Sequence, residues 1–186
     1  MSETVICRSC GYIMKKSRLK SLCPACGVPS RLFESYVDPL SSRRRLLLRL
    51  DIHPVLAHFP QAFTFSALIL CIAARYLSGL WLAKILACLE ILCITLPFVG
   101  MLTFAAGLFD GRVRFRRIVT PLLVRKMIVG GLFLLLSLAI ALLTVSHSPL
   151  AQPLLNAVTL LVTAAFVCSA MLGWIGTGLL NSKFPG

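Results

Sequence analysis

Four long apolar stretches constrain the fold of this chain more than any other feature. Each contains the roughly 20 residues that a helix needs to cross the hydrocarbon core of a bilayer. Hydrophobic residues make up 58% of the 186-residue chain and charged residues only 13%, a composition outside the range of ordinary soluble domains. The sequence therefore predicts an all-α membrane domain at residues 53–182, with transmembrane helices near 53–76, 84–109, 126–146 and 153–181.

Basic residues outside these stretches predict the orientation. Eleven of them fall on one side of the membrane, before the first span, between the second and third spans, and after the fourth. The other side has only Arg75 and Lys84. The positive-inside rule then places both termini in the cytoplasm, and the expected location is a bacterial inner membrane.

Two basic segments lie on the predicted cytoplasmic side. Residues 39–52 form a juxtamembrane linker rich in arginine and leucine, and residues 112–118 have a similar composition. Such segments typically lie at the headgroup layer, so membrane lipids with anionic headgroups are the expected partners. No nucleic acid partner is expected, because membrane topology already accounts for most of the net charge of +13.

The first 38 residues contain two cysteine pairs with metal-ligand spacing. Cys7 and Cys10 form the first pair, and Cys23 and Cys26 form the second after twelve intervening residues. Four thiolates can surround one ion as a tetrahedron, an arrangement that both iron and zinc accept. Thiols stay reduced in the cytoplasm, which favours metal over disulfides.

Glycine follows each pair, at Gly11 and Gly27. It lets the backbone turn through a left-handed conformation while amide groups point toward the sulfurs. A unit of this size has little apolar core of its own, so metal binding would contribute to its folding. The aromatic residues expected around the metal are Tyr12, Phe33 and Tyr36.

These motifs resemble the rubredoxin-like module at the end of rubrerythrins over roughly residues 5–36. The resemblance implies one iron ion held by the four cysteines, which would cycle between ferrous and ferric states as a one-electron carrier. Rubrerythrin's peroxidase chemistry does not carry over, since its di-iron site needs several carboxylates and Glu-x-x-His helices. This chain has six acidic residues and no such motif, so electron transfer or binding is expected rather than catalysis.

The head departs from rubredoxins in its charge. Rubredoxins are usually acidic, whereas this head is rich in lysine and arginine, which would favour an acidic donor or the membrane surface. Zinc in the same four sulfurs gives the alternative function, a zinc-ribbon membrane adaptor or assembly factor without redox activity. The basic residues concerned are Arg8, Lys15, Lys16, Arg18, Lys20 and Arg31.

The membrane half resembles a family of uncharacterised bacterial four-helix membrane proteins. The resemblance rests on the segment from His53 to Pro60 and on residues 107–110, and it implies no activity. His53 and His58 lie at the predicted cytoplasmic end, where they could adjoin haem b or another cofactor. Residues five apart on one helix diverge by about 140°, so the pair cannot bind one iron from opposite faces. The alternative is a helix-entry histidine bonded to backbone or headgroup.

The predicted spans also contain one acidic residue and a row of small residues. Glu90 could belong to a proton or quinol pathway, or could form an ion pair with Arg75 or Lys84. Small residues recur every four positions on the fourth span and predict close helix packing, either within the chain or in a homo-oligomer. The small residues are Ala165, Ser169, Gly173 and Thr177.

Overall fold

The computed structural model describes residues 3–37, 46, 50–115, 119–147 and 152–181. The chain divides into two compact units, an N-terminal head within the first 45 residues and a helical unit at Leu46–Ile175. Most of the basic linker at 39–52 lies outside the described residues, as do residues 148–151 between the third and fourth predicted spans.

The helical unit is built from long apolar helices. Within the described residues, four are long and apolar enough to cross a membrane. This confirms the predicted fold class, an all-α membrane domain after a small N-terminal head. The helices are α1 at Ile52–Ala73, α2 at Gly79–Phe115, α3 at Pro121–Ser146 and α4 at Gln152–Asn181.

Helix α2 is longer than the predicted span at 84–109. It has 37 residues, which corresponds to about 55 Å, well beyond the roughly 30 Å hydrocarbon thickness. Arg112 therefore lies on this helix rather than in a loop. The apolar run underestimates the helix because arginine and lysine are good helix formers and continue it past the bilayer boundary.

Local capping fixes the start of α3. Thr120 precedes the helix, and its Oγ1 accepts a hydrogen bond from the Leu123 amide at 3.3 Å. Pro121 occupies the first turn, where its missing N–H group would be unpaired in any case. The connection between α2 and α3 thus ends at Thr120, the residue that caps α3.

The helical unit is apolar outside and carries small hydroxyl groups inside. Large side chains such as Phe98, Leu135, Leu160 and Trp174 are exposed, as expected for surfaces that face lipid. The buried polar side chains each donate to a carbonyl of their own helix, so no hydroxyl needs water. They are Thr64, Ser137, Thr144 and Ser169.

Pro60 lies inside α1 and leaves a backbone carbonyl without its usual donor. Proline has no N–H, so the Leu56 carbonyl loses its partner one turn later in the helix. Thr103 of α2 offers a replacement, because its Oγ1 shares one proton between the Val99 carbonyl of its own helix at 2.8 Å and the Leu56 carbonyl at 3.2 Å. This bond couples α1 to α2 and removes an unpaired polar group from the apolar environment.

The small residues on α4 pack against α1. Ala165 and Ser169 are buried, and the Ser169 carbonyl accepts a hydrogen bond from Gln61 Nε2 at 3.4 Å. A Cβ atom on Gly173 would lie 2.7 Å from the same Nε2 atom. The predicted close packing is therefore found, and helix α1 of the same chain is the partner of this part of the face. Thr177 is exposed.

Two glycines face partners that their sequence context did not indicate. A Cβ on Gly130 would lie 2.9 Å from the Phe104 ring, and one on Gly107 would lie 2.9 Å from the His53 ring. These glycines make room for rings on neighbouring helices, a fit that depends on helix rotation and not on spacing alone.

Replacing Thr103 by valine should destabilise the helical unit, since the Leu56 carbonyl loses the hydrogen bond from the Thr103 hydroxyl. We expect a loss of about 0.6 kcal/mol, the average for interhelical hydrogen bonds in membranes, and at most about 1.7 kcal/mol. Thr95→Val on the same helix is the matched control, because the Thr95 hydroxyl donates only within α2. Thermal or denaturant unfolding in detergent measures both, and equal losses would show that the interhelical bond is not the cause.

Candidate metal centre

A small antiparallel sheet carries the first cysteine. Strands β1 at Thr4–Cys7, β2 at Ile13–Lys15 and β3 at Phe33–Tyr36 pair in the order β2-β1-β3. Side chains alternate along β1, and Val5 and Cys7 are the two that are buried. Because Cys7 pairs with Phe33 at the end of this strand, its sulfur lies at one end of the sheet.

The two cysteine pairs fold into equivalent knuckles. The Gly11 amide donates to the Cys7 carbonyl at 2.8 Å, and the Gly27 amide donates to the Cys23 carbonyl at 2.9 Å. Both glycines have positive φ, 72° and 75°, where a side chain would be strained. The sequence-based expectation for these glycines is confirmed. The same backbone turn thus presents both cysteine pairs.

The four sulfurs converge as a set. Cys7 Sγ lies 3.8 Å from Cys26 Sγ, and Cys10 Sγ lies 3.8 Å from Cys23 Sγ. All four lie within 4.8 Å of one another. A tetrahedral ion with metal–sulfur bonds of about 2.3 Å requires edges of about 3.8 Å, so the donor set fits iron or zinc. Among the described residues, these cysteines are the one cluster of metal-ligating side chains found.

Backbone amides and neighbouring thiols set the ionisation of these cysteines. At Cys23, burial opposes the thiolate, but the amides of Cys26 and Ala25 and the neighbouring thiols favour it and lower the pKa to about 7. At Cys10 the Tyr12 amide favours the thiolate, yet burial and the other three thiols outweigh it and raise the pKa to about 12. One thiol thus ionises readily while another holds its proton until a cation replaces it.

The head has almost no apolar interior apart from these ligands. In its described part, the buried apolar side chains are Val5, Cys7 and Cys23. Tyr12 was expected in the core but is 42% exposed, because the knuckle turns it outward. Phe33 and Tyr36 are half-buried. Two of the three buried residues are ligands, so the ion and its sulfurs would serve as the core.

The second cysteine of each pair is the more accessible one. Cys7 and Cys23 are buried, whereas Cys10 is half-buried and Cys26 is exposed. One edge of the sulfur tetrahedron, from Cys10 to Cys26, therefore faces solvent. Sequence spacing could not show this, since both pairs have the same pattern.

The predicted membrane-entry histidines occupy different environments. His53 is half-buried, with Nδ1 3.2 Å from the Thr103 carbonyl and its ring over Gly107. His58 is exposed on the outer surface of α1. The two side chains do not share a cluster of metal-ligating groups, and a cofactor beside them stays a prediction.

The roles suggested for Arg75 and Glu90, in an ion pair or a proton or quinol pathway, also stay predictions. Arg75 is exposed, and its Nη2 lies 3.4 Å from Thr159 Oγ1 of α4. Glu90 is half-buried on α2. Of the remaining cysteines, Cys71, Cys93 and Cys168 are buried, where a free cysteine packs as a small hydrophobic residue.

Replacing any one ligand by serine should greatly weaken metal binding. If four ligands share the roughly 10–16 kcal/mol typical of tetrathiolate sites, losing one should lower affinity by about 100-fold or more. Cys88→Ser is the matched control, because Cys88 is an exposed cysteine on α2. Metal content per chain after dialysis measures the effect. Retention of one ion by Cys7→Ser would contradict the assignment.

The pH dependence of metal affinity should steepen below about pH 7. Above the Cys23 pKa of about 7, that ligand has already lost its proton, so binding need not displace it. Below that pH one more proton must leave, so affinity falls by about one further factor of ten per pH unit. Competition with a chromophoric chelator on either side of this pH measures the slope. An unchanged slope would show that Cys23 does not ionise there.

Comparison with known proteins identifies only the head. Residues 6–34 match the family model described as the rubredoxin-like domain of rubrerythrin, and the match contains all four cysteines. No curated protein and no solved structure matches the chain. The chain therefore carries a rubredoxin-like four-cysteine domain, followed by four apolar helices able to cross a membrane.

Proposed function

We propose that this chain is a membrane-anchored one-electron carrier whose head holds iron and passes electrons to a membrane partner or cofactor. The observation that carries the proposal is the convergence of four cysteine sulfurs, with the Cys10–Cys26 edge open to solvent. A tetrathiolate-bound iron supplies a ferrous/ferric couple. The protein supplies the sulfur shell and controls access to it.

The knuckles would hold the ligands in place through a change of charge. Amide groups of Tyr12, Ala25 and Cys26 donate to ligand sulfurs, and such bonds stabilise negative charge on the thiolates. The backbone bonds that close both turns do not involve the sulfurs. The ligand positions can therefore stay fixed when the net charge of the centre changes.

Cys10 and Cys26 are the proposed points of electron entry and exit. Cys7 and Cys23 lie on the inner side of the centre, where protein shields them from a soluble partner. A partner that approaches the exposed edge comes closest to the metal. Exposed Tyr12 borders the first knuckle and offers an apolar contact next to that edge.

We place the head on the cytoplasmic side of a bacterial inner membrane. The support is the distribution of basic residues, which favours cytoplasmic termini.

A zinc-ribbon adaptor or assembly factor is the second candidate function. The same sulfur geometry suits zinc. The observation that favours this function is charge, since the described head has six basic residues against two acidic ones, Glu3 and Glu34. Such a surface suits recruitment of an acidic protein.

Metal analysis and visible absorption of the full-length protein in detergent distinguish the two functions. The carrier should contain one iron per chain and show ferric thiolate charge-transfer bands that bleach with dithionite. Cys88→Ser should retain the bands, and Cys10→Ser should lose them. A colourless protein with one zinc per chain, purified from iron-supplemented cells, would remove the carrier function.

The same spectra test a haem near His53 and His58. We expect a Soret band only if the helical unit binds haem, and His58→Ala should then abolish it while the four-cysteine bands remain. Absence of the band in protein from haem-supplemented cells would confine the redox chemistry to the head.

A further inference from the structure

We propose that the basic turn, defined as residues 15–20, docks the head on anionic lipid headgroups. The proposal goes beyond electron transfer, since a head loaded with zinc would dock in the same way. It rests on the proposed cytoplasmic placement, where the facing leaflet is negatively charged. It also determines which end of the head faces away from the bilayer.

The charge of the basic turn is not compensated within the head. The two carboxylates of the described head are each paired, Glu34 with Arg8 and Glu3 with Lys16. The remaining cations of the turn, Lys15, Arg18 and Lys20, are exposed. No ion pair is found for them within the described part of the chain.

Strand register places the start of the basic turn and the Cys7 ligand at opposite ends of the sheet. On β1, Thr4 pairs with Lys15 and with Tyr36. Three residues further along, Cys7 pairs with Phe33 at the metal end, a separation of about 10 Å. The turn therefore begins at the end of the sheet that is remote from Cys7.

The chain leaves the head at the same end as the basic turn. Strand β3 ends at Tyr36, opposite Thr4, and Val37 beyond it is 87% exposed. From there the chain continues to α1, whose first residue is Ile52. The tether thus emerges beside the cations, which raises their effective concentration near the headgroups.

This geometry favours lipid over an acidic redox protein as the occupant. A redox partner must bring its own cofactor close to the Cys10–Cys26 edge, but the basic turn begins at Lys15, about 10 Å along the sheet from Cys7. Lipid contact at the turn leaves that edge open to the cytoplasm. Each exposed lysine or arginine near an anionic surface strengthens docking by about fivefold.

The test measures accessibility of the lysines in the metal-loaded full chain. The protein is placed in nanodiscs of phosphatidylcholine, with or without phosphatidylglycerol, and acetylation rates of Lys15 and Lys20 are read by mass spectrometry. We expect both to be acetylated at least about fivefold more slowly with phosphatidylglycerol, and high salt should remove the difference. Glycerol phosphate added to phosphatidylcholine discs should not slow them.

Arg18→Glu and Arg31→Glu form a matched pair of variants. Both arginines are exposed and lie in short 3-10 turns, but Arg31 lies near the metal end, two residues before Phe33. Arg18→Glu changes the turn by two charges and should weaken docking by about 30-fold, which removes the lipid effect on both lysines. Arg31→Glu should retain it. Metal content, measured for each variant, shows that the head remains folded.

Two results would overturn the proposal. Equal acetylation rates in the two kinds of nanodisc would exclude anionic lipid, and protection instead by a purified acidic iron–sulfur protein would identify a protein-binding surface. Loss of protection in Arg31→Glu to the same extent as in Arg18→Glu would show a diffuse charge effect and not a defined turn. Neither result bears on whether the metal is iron, which the absorption spectrum decides separately.

Discussion

The stability of the head depends on the convergence of four cysteine sulfurs, because few other side chains of the head are buried. Val5 is the only buried apolar side chain in its described part that is not a ligand. Without an ion, the thiols share protons unevenly, with the pKa of Cys23 lowered and that of Cys10 raised. A bound cation would replace those protons and attract all four sulfurs at once. Stability of the fold and occupancy of the site are thus two aspects of one interaction.

The helical unit follows a different constraint. In an apolar environment every backbone and hydroxyl group needs a partner within the protein. The buried hydroxyls bond to carbonyls of their own helices, and Thr103 supplies the donor that Pro60 cannot. Glycines then allow close approach, as where Phe104 lies over Gly130. These contacts account for the packing of the described helices.

The proposed lipid contact would orient the head, with the basic turn facing the lipid headgroups and the exposed sulfur edge facing the cytoplasm. Antiparallel pairing places the start of β1 and the end of β3 together, so the tether and the first residue of the basic turn share one end of the sheet while Cys7 lies at the other. A head docked through the turn would present Cys10 and Cys26 to soluble partners. The same arrangement would serve an adaptor, which would then present a zinc knuckle.

The four apolar helices, the cysteine ligands and the need for glycine at positions 11 and 27 were predictable from the sequence, because these features depend on length, composition and local spacing. Other features are set by the tertiary structure. It turned Tyr12 outward, exposed the Cys10–Cys26 edge, and paired the small face of α4 with Gln61 and Thr64 of α1. Those features depend on strand register and helix rotation, which arise from contacts between residues far apart in the chain and leave no periodic signal in the sequence.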